Sequence, residues 1–218
     1  MPRIPLPPIT DFEAYNKNTK AQYEALGQFV VAFEAMVGET RDCSINLLDQ
    51  ARLVDIAFHH PSMTAKPLFD IFRALVVESL ELEGLSVSPR DKDIFRGVLK
   101  NIASEFFYLV DARNTLLHGT WQIGYSSSEN PNAENFFLYK YKPTKDGLQQ
   151  EDVPKHAFEL LKLKDRCEGV RAWISSIHFC IPRLDRPHES VGDRFHLQDS
   201  QWHLTHGAEP ETLPRKSE

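Results

Sequence analysis

Apolar residues return every three or four positions over several long stretches of the chain, the spacing of helices that bury one face. Leu26, Val30, Phe33 and Val37 recur at i, i+4, i+7 and i+11 and form one such stripe. Asp11, just ahead of Phe12 and Glu13, suits the cap of this helix. Gly38 weakens or breaks the pattern, which resumes from Cys43 to Val54, so one long or kinked helix is expected to about Phe58. His59-His60-Pro61 ends it, and Pro67 opens a second helix over Leu68 to Glu83, closed by Gly84. Ser88-Pro89 leads into the most periodic segment, about Asp91 to His118. Its core stripe is Ile94, Val98, Ile102, Phe106, Leu109 and Val110, and Gly119 stops it.

The period then changes. Thr120 to Tyr125 alternates Trp, Ile and Tyr, Phe136 to Tyr141 is aromatic and β-prone, and a Ser/Asn/Pro loop (126–135) joins them. This reads as a β-hairpin with a long connection, and Asp146-Gly147 marks a further turn. A last helix is expected from about Pro154 to Ile181, with Leu160, Leu163, Cys167, Val170, Ile174 and Ile177 facing inward. The predicted fold is mainly α: a bundle of four to five helices carrying a small β-hairpin after the 91–118 helix. Three regions follow: an extended, proline-rich arm (1–11), a helical domain (12–181) with the hairpin inserted at about 120–150, and a polar tail (182–218). Phe195, Leu197, Trp202 and Leu204 are the residues able to anchor that tail.

Composition narrows the class. A chain of 218 residues with 41% hydrophobic content can bury a core without disulfides or metal, which excludes disorder throughout. No apolar run approaches the roughly 20 residues that cross a bilayer, so no membrane association is expected. The proline-broken N-terminus does not read as a secretory signal. Cys43, Cys167 and Cys180 are an odd set, far apart and without a CxxC pair, which suits a reducing, cytoplasmic location and argues against a cysteine-based metal site. The net charge of −6 means that any nucleic-acid chemistry must come from a local site.

The stretch Asp111-Ala-Arg-Asn-Thr-Leu-Leu-His-Gly-Thr-Trp121 carries the candidate chemistry. Arg113 lies seven residues after Phe106, on or beside the core stripe, where a guanidinium is expensive without a partner. Asn114 and His118 are i, i+4 neighbours on one helix face. Arg113 and His118 are about 140° apart round the helix, at roughly 100° per residue, and their flexible ends can still converge on one anion. The same residues also suit an ordinary helix end, with the arginine satisfying carboxylates and the histidine facing the dipole.

Arg113-Asn114-Thr115-Leu116-Leu117-His118-Gly119, at the end of a long amphipathic helix, resembles the signature of the HEPN superfamily (higher eukaryote and prokaryote nucleotide-binding domains). That signature is Arg, four to six residues, then His, often with Asn directly after the Arg. Leu26 to Glu34 is similar to the first helix of such bundles, and the resemblance covers roughly residues 12–181. It implies a metal-independent, cofactor-free endoribonuclease acting on RNA as a homodimer. Enzymes of this kind serve as toxins, accompanied by an antitoxin or other protein partner, or as antiphage effectors. Arg113 and His118 would be catalytic and Asn114 supporting. Imidazole exchanges protons near neutral pH, and guanidinium suits the charge developing on a phosphorane. The position two after His118 is Thr120, not the tyrosine of the toxin branch that a partner nucleotidyltransferase modifies. With the acidic net charge, this keeps a second reading open: a HEPN-like module that binds RNA or protein without cutting.

Glu34, between Val30 and Val37, is a further supporting candidate. On an apolar stripe it would want a cation, with Arg113 the natural partner, and at the stripe's edge it would simply be solvated. His59-His60, and His196, His203 and His206 in the tail, have no spacing that defines a metal site. Ser126-Ser-Ser lacks a GxSxG elbow, and no GxGxxG or Walker sequence is present. The 136–141 strand, with Lys140 and Lys142, suits base stacking or the cover of a helical core.

Overall fold

A computed structural model describes residues 12–48, 63–81, 87–118, 120–122, 137–144, 147–151, 156–181, 195–198 and 201–204. The fold is mainly α, with four helices among the described residues: α1 (Phe12–Leu47), α2 (Ala65–Glu81), α3 (Pro89–His118) and α4 (Ala157–Cys180). None of them is long and apolar enough to cross a membrane.

Local chemistry fixes the helix starts. Ser88 caps α3: its Oγ accepts from the Asp91 N–H at 3.1 Å and donates to Asp91 Oδ2 at 2.7 Å. Pro89 then takes the first helical position, where a missing N–H costs nothing. At α4 the cap runs in reverse, with the His156 N–H donating to Glu159 Oε2 at 3.0 Å. The α2 helix starts ahead of Pro67, at Ala65, and the Leu68 N–H closes its first turn on the Thr64 carbonyl at 3.1 Å. At the end of α1, Leu47 is the last helical residue and the Leu48 N–H closes a turn on the Ile45 carbonyl at 3.1 Å. The expected continuation to Phe58, the His59-His60-Pro61 stop and the closing Gly84 lie outside the described residues.

The chain divides into two compact units. The first joins Met1–Ala32 with Asp111–Asp165, and the second joins Phe33–Val110 with Arg166–Glu218. Segments of all four helices build the second unit. Phe69 of α2 stacks on Phe106 of α3 at 4.5 Å, and Phe107 meets Phe69 edge-on at 5.6 Å. Phe69, Phe72, Phe95 and Phe106 are fully buried, each worth about 1.5–3 kcal/mol by transfer from water. From α4, Cys167, Val170, Trp173, Ile174 and Ile177 are also fully buried. The buried hydroxyls of this core are satisfied within their own helices. Thr40 Oγ1 donates to the Met36 carbonyl, Ser44 Oγ to Thr40 and Ser79 Oγ to Leu75, at 2.7–2.9 Å.

Phe195, the anchor expected in the tail, is buried against Trp173 at 5.6 Å. It starts β4 (Phe195–Gln198), which pairs antiparallel with β5 (Gln201–Leu204). The register sets Phe195 opposite Leu204 and Leu197 opposite Trp202. In the first unit, β1 (Thr120–Gln122), β2 (Phe137–Thr144) and β3 (Gly147–Glu151) form an antiparallel sheet in the order β1-β2-β3. Thr120 pairs with Tyr139 and Lys140 with Glu151. Gln22, Ala25, Phe29, Ala32, Leu116, Leu160 and Leu163 supply the buried positions of this unit.

Candidate functional site

The α3 seam runs through Phe95, Leu99, Ile102, Phe106 and Leu109 in alternating steps of four and three and continues to Leu116. Arg113 takes the step between Leu109 and Leu116 and is half-buried. Leu116, fully buried, pins the last turn, while Leu117 is 39% exposed. Arg113 Nη1 reaches Asn114 Oδ1 at 3.5 Å, the long limit of a hydrogen bond. His118 is the final residue of α3, and its side chain lies outside what is described. Arg113 and Asn114 thus come together on the last two turns of one helix, with His118 ending it.

Glu34 is exposed. The buried seam of α1 runs through Gln22, Ala25, Phe29, Ala32, Phe33, Met36 and Thr40, so Leu26 and Val30 of the expected stripe flank it rather than define it. Glu34 therefore lies at the edge of the buried seam.

The buried carboxylate is Glu105, 61 residues from its partner and given no role by sequence reasoning. It is 5% exposed and accepts a hydrogen bond from Arg166 Nε. The same guanidinium lies over the Tyr108 ring, 4.0 Å from its centre. Burial alone would pull Arg166 down, but the Glu105 hydrogen bond and charge, with Tyr108, leave it above its ordinary value. The pair joins α3 to α4 inside the second unit and is a packing element. The only signal in the sequence was the spacing of Glu105, seven after Val98 and three after Ile102, on the apolar stripe.

A second polar cluster gathers on Glu39. Its Oε1 lies 3.6 Å from Cys43 Sγ, which donates to it, and its Oε2 lies 3.8 Å from Arg171 Nε. Burial holds His178 below its ordinary value, with the Glu39 charge opposing. A cleft of about 350 Å³ opens beside it, lined by Glu39, Glu168, Arg171, Ala172 and Ser175. All three cysteines are buried thiols outside any disulfide. Burial, then the Glu39 carboxylate, pushes the Cys43 thiol far up, and burial, then Glu105, pushes Cys167 up to about 12. Neither offers a thiolate nucleophile at neutral pH.

Among the described residues, no three His, Cys, Asp or Glu side chains gather as a metal-ligand set. The β4–β5 register places His196 opposite His203, while His206, His59 and His60 lie outside the described residues, as do Ser126-Ser-Ser and the side chains of β2. Compared with protein-family models, with curated proteins and with solved structures, the chain matches none.

Proposed function

We propose that this chain is a metal-independent endoribonuclease of HEPN type that cuts RNA by attack of the 2′-hydroxyl on the adjacent phosphate. The observation that carries the reading is the placement of Arg113. A half-buried guanidinium occupies a seam position at the end of a 30-residue helix, against Asn114, one turn ahead of a terminal histidine. An arginine on a seam loses part of its hydration, which strengthens its hold on an anion.

In this reading His118 takes the proton from the 2′-hydroxyl or delivers one to the leaving 5′-oxygen. Arg113 holds the nonbridging oxygens as charge builds on the phosphorane, and Asn114 fixes the guanidinium plane. One motif supplies one imidazole. A homodimer with both motifs facing one cleft would supply the acid and the base separately.

The acidic net charge is not spread evenly. The second unit carries 15 Lys and Arg against 20 Asp and Glu, whereas the first, which holds the motif, carries 10 against 11. The repulsion that would weaken RNA binding therefore belongs mostly to the unit without the motif. Toxin or antiphage duty, with an antitoxin as partner, is the biological setting we propose.

The test incubates purified protein with single-stranded RNA in EDTA and looks for ends bearing 2′,3′-cyclic phosphate. His118→Ala should lose about 10²- to 10⁴-fold in rate with its fold intact. Equal cleavage by wild type and His118→Ala removes the catalytic assignment. No cleavage by wild type on any RNA moves the assignment to a binding module.

A further inference from the structure

The first turns of α4 present an aromatic group that the core does not use. Phe158 is 52% exposed although it sits one position from the start of a helix whose inward stripe is complete without it. The His156 ring stacks on it at 5.3 Å and 22°, and Lys162, one turn on, holds its ammonium 5.1 Å from the ring centre. Leu161 beside it is 37% exposed. Three lysines, Lys155, Lys162 and Lys164, stand along this stretch with Glu159 among them and Asp165 paired to Lys164 at 3.3 Å.

We propose that His156, Phe158 and Lys162 form a base-stacking subsite for single-stranded RNA, within the same compact unit as Arg113. A nucleobase lies on the exposed area of the Phe158 ring, and Lys162 swings from the ring to the flanking phosphate. Stacking needs an exposed π face and tolerates any base, while the lysine supplies the charge that distinguishes a nucleic acid from an apolar peptide. The ligand class rests on the ribonuclease reading, but the subsite does not require cleavage.

The experiment uses the full chain and fluorescent 2′-O-methyl oligoribonucleotides, which lack the attacking hydroxyl and cannot be cut by this chemistry. Fluorescence anisotropy should show binding by wild type, with purine-rich strands held more tightly than pyrimidine strands. Phe158→Ala should weaken binding about 5- to 100-fold. Lys162→Ala should weaken it for all sequences and lower the salt slope by about one. Phe158→Trp should restore binding, with indole fluorescence quenched on titration beyond the wild-type change. Phe179→Ala, an equally superficial aromatic near the other end of α4, should bind as wild type. Thermal unfolding of Phe158→Ala should match wild type, since half the ring is already in water.

Wild-type affinity in Phe158→Ala, or no binding by wild type, overturns the subsite. Cleavage of unmodified RNA at the same rate by wild type and Phe158→Ala at sub-saturating substrate also overturns the subsite and leaves the ribonuclease reading standing. Phe158-dependent binding with no cleavage does the reverse.

Discussion

Removing the Glu105 carboxylate should be among the costliest changes open to this fold, and removing both members of its pair among the cheapest. With Glu105→Ala, the Arg166 guanidinium, 17% exposed as a side chain, loses its anion while still enclosed. Breaking a buried pair from one side costs about 3–5 kcal/mol. Arg166 keeps its place over Tyr108, itself 38% exposed, and such contacts return about 0.5–1 kcal/mol, so the lower end of the range is expected. For a chain of this size, about 3 kcal/mol corresponds to a fall in Tm of about 6–12 °C. The double variant Glu105→Leu/Arg166→Met strands no charge and should unfold within about 1 kcal/mol of wild type, or above it. Urea titrations followed by far-UV circular dichroism, run as a double-mutant cycle with the m-value checked for constancy, read the coupling directly. A single-variant cost under about 1 kcal/mol would refute the reasoning. So would a double variant as unstable as the sum of its parts.

Acid should weaken the fold through His178, whose imidazole burial holds below the ordinary value of 6.5. The unfolded chain then takes up a proton that the folded chain resists, so this contribution is full above about pH 6.5 and is lost as pH falls through the lower folded value. His178→Gln should flatten the stability–pH slope in that window. Ser88→Ala removes the acceptor of the Asp91 N–H at the start of α3 and should cost about 0.5–2 kcal/mol in chemical denaturation. An aromatic disulfide reagent should find no fast-reacting thiol in the native chain and all three cysteines in denaturant, and a rapid native thiol would contradict the burial of Cys43, Cys167 and Cys180.

Where a helix buries large apolar residues at regular spacing, the sequence was sufficient. Ile94, Val98, Ile102, Phe106, Leu109 and Val110, and the inward set of α4 from Leu160 to Ile177, are all buried. Of the α1 stripe, Phe33 and Val37 are buried, while Leu26 and Val30 are half-buried beside Gln22, Ala25 and Phe29. Choosing residues by apolarity overlooks small side chains and hydroxyls that bury at little cost once bonded to their own helix. Arg113 on the α3 seam followed from period alone. The partner of Glu105 could not, because a contact across 61 residues depends on how α3 and α4 meet, which no local pattern encodes.

The buried polar groups of the second unit differ in how far their demands travel. The hydroxyls of Thr40, Ser44 and Ser79 are each answered by a carbonyl one turn back on the same helix. They ask nothing of the helices they face. In relatives of this chain, these positions should drift among Ser, Thr, Ala and Val without any compensating change elsewhere. Glu105 is answered by Arg166 on another helix, so neither position is free to change alone. In an alignment, residues 105 and 166 should therefore change together, from an ion pair to an apolar pair in one evolutionary step or two closely spaced ones, with single-residue intermediates seldom kept.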